Sequence, residues 1–416
     1  MTARLLTADR LLLGPGGATL ADAAVLFQDG LITAVGPVDE VVPGAPEGTV
    51  RTDFPGATVL PGLIDCHVHL VFDAGDDPLG TLAGQHDHDL LLAMAGRARI
   101  LLDAGVTTAR DLGDRGQLAA RLRDAIAAGK VPGPRLLTAG APVTVTGGHC
   151  WMLGGQADGV EGVRATVRRT LRGGADLIKI MVSGGTLTPG GPPTWQPQFT
   201  EEEIRTAVVE ARRFGRRVAA HAHATPSVAA AVAAGVDTLE HCTFTAPPPE
   251  AAGTPGESTG PVPTAAELTR VIAERGIAVC PTLHGGLTDL MHLVDQDELA
   301  RLLRQIADHH AAGVRLIAGT DAGVPGAAFG RYAESLDWFT RAGLPAEDVL
   351  RIATVESARA LGLGERTGLL EPGRDADLLV VPGDPREDLT ALRHPRAVVS
   401  GGRWHVPAAT VERNPV

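Results

Sequence analysis

Short apolar runs alternate with longer amphipathic stretches through the middle of the chain. Runs at 58–64, 106–111, 135–139, 176–181, 217–221, 237–241, 277–282 and 314–320 have strand length and read as buried strands. Between them, apolar positions spaced three and four apart predict helices such as 87–102, 116–128, 159–172, 201–214, 225–234, 264–275 and 297–312. Eight strands alternating with helices predict an α/β fold, a (β/α)8 TIM barrel. An open doubly wound sheet is the alternative, and the lack of Gly-x-Gly-x-x-Gly after the first strand weakens it.

The two ends of the chain have a different beat. Residues 4–13 and 24–35 read as short strands around turns, with Gln28-Asp29-Gly30 a hairpin turn. Strand-like runs return at 376–381 and 397–403. Neither end is large enough to stand alone, so residues 1–57 and 366–416 are expected to form one composite β-sandwich, with the barrel over 58–365. Residues 183–198 and 246–263, rich in Gly, Pro and Thr, read as lid-like loops.

Composition narrows the class. The chain has 416 residues, is 44% hydrophobic and carries a formal net charge of −12. That supports a large core and argues against a nucleic-acid partner. The four cysteines, at 66, 150, 242 and 280, lack metal-finger spacing, and no apolar run reaches membrane-spanning length. The start, Met1-Thr2-Ala3-Arg4, lacks a signal-peptide core. A reduced, cytoplasmic protein with no membrane partner, assembling as a homo-oligomer around a small-molecule substrate, is the expectation.

The chemistry collects at strand ends, where barrels of this type carry their active sites. His67 and His69, two apart, face one side of the first strand. His221 and His223 end the fifth strand, His241 the sixth, and Asp321 the eighth. A lone histidine in such a place is ordinarily a satisfied core residue, and a strand-end aspartate often caps the next helix. Joint coincidence at all these ends is improbable, and imidazole with carboxylate suits a divalent metal of the zinc type.

Lys179 lies inside the apolar run Leu177-Ile178-Lys179-Ile180-Met181. Only two of the 37 basic residues are lysines, Lys130 and Lys179. A chain that uses arginine almost everywhere needs this lysine for its amine, because a desolvated amine loses its charge and a guanidinium does not. Schiff base, general base and carbamate formation with carbon dioxide all follow; the surrounding histidines favour the carbamate.

The stretches Pro61-Gly62-Leu63-Ile64-Asp65-Cys66-His67-Val68-His69, Gly105–Leu112, Asp176–Ile180 with Ser183-Gly184-Gly185, Ala220–His223, Leu239-Glu240-His241, Gly319–Gly323 and Gly373–Leu378 together resemble the amidohydrolase superfamily. The likeness is to its imidazolonepropionase-like and Xaa-Pro-dipeptidase-like (prolidase-like) subgroup, and it covers nearly the whole chain in order. It implies two divalent metal ions, with zinc the expected metal. By resemblance His67, His69 and Asp321 hold the buried ion, His221 and His241 the more exposed one, and carbamylated Lys179 bridges them with a hydroxide. Asp321 then serves as general base and acid, and His149 and His223 touch the substrate carbonyl or its tetrahedral intermediate. Subgroup members often carry Tyr where His223 stands.

The expected reaction is cleavage of an amide-type C–N bond in a dipeptide or N-acyl amino acid. A cyclic amide or imidazolone, or a carbamate or organophosphate ester, is the alternative substrate. A non-catalytic scaffold should have lost ligands, and none of the six is missing. His284 is a candidate for the pocket wall, and Arg331 with Tyr332 for a substrate carboxylate or a surface position. His86 and His88 read as the start of a helix on a solvated flap. His292, His309, His310, His394 and His405 read as structural or surface residues, and Cys66 and Cys242 as small buried ones.

Overall fold

The computed structural model describes residues 2–14, 19–248, 251, 263–289 and 295–408. Four strands open the chain: β1 (Arg4–Leu12), β2 (Thr19–Gln28), β3 (Leu31–Pro37) and β4 (Val50–Pro61). Eight follow, separated mostly by helices: β5 (Leu63–Val68), β6 (Val106–Asp111), β7 (Arg135–Thr138), β8 (Leu177–Met181), β9 (Arg217–Ala224), β10 (Thr238–Thr245), β11 (Ala278–Cys280) and β12 (Arg315–Leu316). Three end it: β13 (Leu378–Pro382), β14 (Ala397–Ser400) and β15 (Arg403–His405).

Both ends of the chain build one seven-stranded sheet, in the order β15-β14-β13-β4-β1-β2-β3. The turn between β2 and β3 has positive φ at Asp29 (52°) and Gly30 (88°), which suits a tight hairpin twisting with its strands. Leu6, Phe27, Val59, Leu378 and Val399 belong to the apolar cluster on this sheet.

The middle strands form two parallel sheets, β5-β6-β7 and β8-β9-β10-β11-β12. Backbone hydrogen bonds link them at both edges. Asp176 N–H donates to Thr138 O and Met181 N–H to Val143 O, each at 2.8 Å. On the other edge Cys66 N–H donates to Ala318 O and Asp321 N–H to His67 O, also at 2.8 Å. The helices fall close to the sequence expectation, from Asp87–Asp103 to Gln296–Ala311. Glu201–Arg213 and Ala265–Glu274 each start with a capping box, Thr200 with Glu203 and Thr264 with Glu267. Among the described residues no helix is long and apolar enough to cross a membrane.

Two strand readings need correction. The run at 58–64 is not one strand: it divides at Gly62, where β4 ends and β5 begins. Gly62 N–H donates to Asp377 O at 3.0 Å, and a Cβ there would lie 2.1 Å from Thr107 Oγ1, so only glycine passes this corner. The run at 314–320 keeps only Arg315–Leu316 as strand. The rest bends toward Asp321, whose φ is 60°. Most of the 246–263 loop and His292 lie outside the described residues.

One buried cluster ties the terminal sheet to β7. Arg135 donates to Asp377 Oδ2 at 2.6 Å and to Asp375 Oδ2 at 2.8 Å, and Asp377 also accepts from Gly401 N–H at 2.7 Å. The Asp377 side chain is fully buried. Asp377→Ala leaves the guanidinium with one carboxylate and should lower stability by about 3 kcal/mol, read from the denaturant midpoint.

Candidate metal centre

Six histidines, one lysine and one aspartate meet at the C-terminal ends of β5, β8, β9 and β10, the segment after β7, and the bend after β12. The ring centroids of His221 lie 4.6 Å from His149, 4.6 Å from His223 and 4.5 Å from His241. His67 stands 5.4 Å from His241 and 5.2 Å from His69. These rings, Lys179 and Asp321 line an open cleft of about 460 Å³. His284 also lines it.

The backbone is bent to deliver these groups. His241 (φ 68°) and Asp321 (φ 60°) both sit in the left-handed region, as do Cys242, Phe244 and Thr282. Non-glycine residues there cost roughly 1–3 kcal/mol each and cluster at functional sites.

Hydrogen-bond partners decide which nitrogen of each ring carries the proton. His67 Nδ1–H donates to Glu240 Oε2 at 2.9 Å, and His69 Nδ1–H to Gly113 O at 3.3 Å. His221 Nε2–H donates to Gly184 O at 3.0 Å. His241 Nδ1–H donates to Thr282 Oγ1 at 2.7 Å, whose own hydroxyl proton is committed to Pro281 O at 2.8 Å. Each of these four partners can only accept, so each ring keeps its other nitrogen bare. His223 is different: its Nδ1 meets Thr243 Oγ1 at 2.9 Å in a Thr243–Thr245 hydroxyl chain that can run either way.

Burial lowers the ring pKa values, to about 4 at His67 and His223 and about 3 at His149, with neighbouring cationic groups adding at His67 and His149. His221 and His241 fall well below the usual range, from burial first and then their histidine neighbours. His67, His149, His221, His223 and His241 are therefore neutral near pH 7. Burial alone would raise the Asp321 carboxyl, but His67, His69 and Lys179 hold it far below the carboxylate range.

This donor set fits a divalent metal. The Nε2 atoms of His67 and His69 lie 3.3 and 3.2 Å from Asp321 Oδ1, while both Nδ1 atoms face other acceptors, so the three ligand atoms converge on one point. A cation is what such a set lacks. His221, His223 and His241 form a second group able to hold an ion. Lys179 is 1% exposed, inside the apolar strand β8. Burial lowers its pKa and favours the neutral amine.

Residues outside the sequence reading hold this set in place. Glu240, fully buried, takes His67 Nδ1–H on one oxygen and Arg110 Nη2 on the other at 2.7 Å. Burial opposes its charge, but Arg110 and His67 keep the carboxyl well below its ordinary range. Asp65 accepts from Thr320 Oγ1 at 2.7 Å, Thr320 N–H at 3.1 Å and His67 N–H at 3.2 Å, tying β5 to the bend that carries Asp321. Asp111 accepts from Leu70 N–H at 2.8 Å and Gly113 N–H at 3.2 Å, which fixes the carbonyl that holds His69. A glutamate inside the run Thr238-Leu239-Glu240-His241 was as anomalous as Lys179 and could have been found the same way.

The remaining candidates lie away from the cleft. Arg331 pairs with Glu334 and Asp289, and Tyr332, buried, donates its hydroxyl to Ile64 O at 2.7 Å, so neither reaches a substrate carboxylate. His86 and His88 are exposed at the start of helix Asp87–Asp103. His309 is buried against Thr269, His310 pairs with Asp348, His405 with Asp103, and His394 is exposed. All four cysteines are buried and free.

The model of the amidohydrolase family matches residues 58–404. The chain belongs to the amidohydrolase family. Ochratoxinase of Aspergillus niger is 28% identical to it over 430 aligned residues, covering 93% of this chain and 83% of that enzyme. The crystal structure of a Xaa-Pro dipeptidase with bound methionine superposes with a TM-score of 0.81 at 28% identity, covering 97% of this chain and all of that one. A 94-residue stretch is 36% identical to imidazolonepropionase of Micrococcus luteus, covering 23% of this chain and 20% of that enzyme. This member of the amidohydrolase family is an enzyme, a hydrolase acting on carbon–nitrogen bonds.

Proposed function

We propose that this amidohydrolase is a binuclear metal enzyme that cleaves an amide-type C–N bond in a small substrate such as a dipeptide or N-acyl amino acid. The observation that carries the proposal is the sorting of lone pairs: four rings give up one N–H to fixed acceptors and keep their other nitrogen bare, around the buried Lys179 amine. The two sheets would close as one (β/α)8 barrel over 58–365, supported by the hydrogen bonds on both edges, with 1–57 and 366–416 as a β-sandwich unit. We place the protein in the cytoplasm as a homo-oligomer.

His67, His69 and Asp321 would hold one ion and His221 and His241 the other, with zinc the expected metal and carbamylated Lys179 supplying oxygens to both. When bound, the ions make water acidic near neutral pH and polarise a carbonyl. The chain's own residues do the rest. Asp321 takes a proton from the attacking water and delivers it to the leaving nitrogen. His149 and His223 offer N–H groups to the carbonyl oxygen as it gains charge. Glu240 and Gly113 hold His67 and His69 in the tautomer that faces inward.

Purified protein assayed by mass spectrometry should carry close to two divalent ions per chain and lose turnover on chelation. A panel of dipeptides, N-acyl amino acids, lactams, carbamates and phosphotriesters tests the substrate. Turnover in a metal-free preparation, or hydrolysis confined to phosphate esters, would overturn the proposal.

A second reading has one observation in its favour. Among the described residues the cleft has no arginine, and Asp76 and Asp77 stand on its wall. Residues 249–262 and 290–294 contain no Lys or Arg either. Neutral substrates, a cyclic amide, an imidazolone or a carbamate, suit such a wall better than a free carboxylate does. A dipeptide suits it when its ammonium faces Asp76. Asp76→Asn should therefore raise KM severalfold for a dipeptide and leave a lactam or carbamate unchanged, in paired steady-state assays.

A further inference from the structure

His149 differs from the four inward-facing rings in what holds it. Its partners come from the loop over residues 183–198. Thr188 Oγ1 lies 3.1 Å from His149 Nδ1 and also accepts Cys150 N–H at 2.8 Å. Gln198 Oε1 accepts His149 N–H at 2.6 Å, and Gln198 Nε2 donates to Met181 O at 2.6 Å, which anchors the ring's backbone to β8. Gly185 lies against the face of the ring: a Cβ there would sit 2.5 Å from Cε1 and Nε2 and 2.8 Å from Cδ2.

We infer that Thr188 is a positioning residue that fixes His149 as an Nε2–H donor toward the reacting carbonyl oxygen. This rests on the role proposed for His149 above. The Thr188 hydroxyl has one proton, and one of its lone pairs already takes Cys150 N–H. Among the described residues His149 Nδ1 is the acceptor within its reach. If Nδ1 carried the proton instead, Thr188 would accept twice and its own hydroxyl proton would be left unpaired at a site only 5% exposed. An unmade hydrogen bond of that kind is costly in a buried site. With Nδ1 accepting, a neutral ring holds its single proton on Nε2. The ring lines the cleft, and Gly185, without a side chain, lets the loop pack on its face. The loop therefore acts twice on one imidazole: a hydroxyl sets the proton, and a missing side chain leaves room for the ring's face.

The test begins with the unmodified protein. Long-range ¹H–¹⁵N correlations on ¹⁵N-histidine-labelled chain, assigned with His149→Asn, should show His149 protonated at Nε2 and bare at Nδ1. A bare Nε2 in that spectrum overturns the inference without any variant having to fold. Thr188→Val keeps the shape and removes the hydroxyl. It should shift His149 toward the Nδ1–H form and lower kcat by about 10–100-fold with KM within about twofold, and Thr188→Ser should restore both. L-Alanyl-L-methionine and N-acetyl-L-methionine are the substrates for these rates. Gly185→Ala should lower kcat while leaving the tautomer unchanged. If Thr188→Val keeps full kcat while His149→Asn loses it, the role of Thr188 is wrong and that of His149 stands. If both keep full kcat, the role proposed for His149 falls, and the inference with it.

Discussion

Asp321→Asn should abolish nearly all turnover, by about 10²–10⁴-fold in kcat, in a chain that still folds. Asn tolerates the left-handed region almost alone among non-glycine residues, so the φ of 60° at this position is no obstacle. What changes is charge and proton affinity. The carboxylate oxygen lies 3.3 and 3.2 Å from the Nε2 atoms of His67 and His69, a set that a shared cation would hold together. An amide neither takes a proton from water nor returns it to a leaving nitrogen. It also weakens the hold on a cation. Metal content separates the two effects: an ion still bound to the His221 and His241 side with turnover gone points to the proton-transfer role. Wild-type kcat in Asp321→Asn, with the amide confirmed by mass spectrometry, would remove Asp321 from the reaction.

Much of this site was legible in the chain because it is built from strand ends. Period-two spacing put His67 beside His69, and the apolar run around Lys179 marked an amine that no surface role explained. The supporting residues were harder to see. Glu240 meets His67 across 173 residues and Arg110 across 130, distances over which periodicity says nothing. Asp65 was inside a quoted motif, but its use became visible only when Thr320 arrived from 255 residues away. Arg331 was left open between a substrate contact and a surface position for a related reason. Its position after the eighth strand pointed to the rim, whereas Glu334 three residues on and Asp289 from another loop hold it in an ion-pair cluster. The split at Gly62 was equally hidden, because the apolar composition is continuous across it and only the approach of Thr107 forces the corner.

Lys179→Ala should also lose turnover, on the order of 10³-fold or about 4 kcal/mol of barrier, yet recover part of it in millimolar acetate or propionate. An amine this deeply buried is a poor cation. Neutral, it can add to carbon dioxide: an N–C bond forms, a proton leaves, and a carboxylate on a long stem results. Removing the side chain would leave a cavity where the proposed carboxylate would stand, and a small carboxylic acid anion could fill it. Lys179→Arg should fail with no rescue, because a guanidinium keeps its charge, fills the space, and faces the two cations the site is proposed to hold. A Schiff-base lysine would be trapped instead by borohydride with a carbonyl substrate. A lysine needed only for packing would leave metal content unchanged when replaced. If Lys179→Ala keeps both ions and full kcat without added carboxylate, the bridging role is wrong. If neither variant responds to carboxylate but both lose metal, the amine itself is what the site requires.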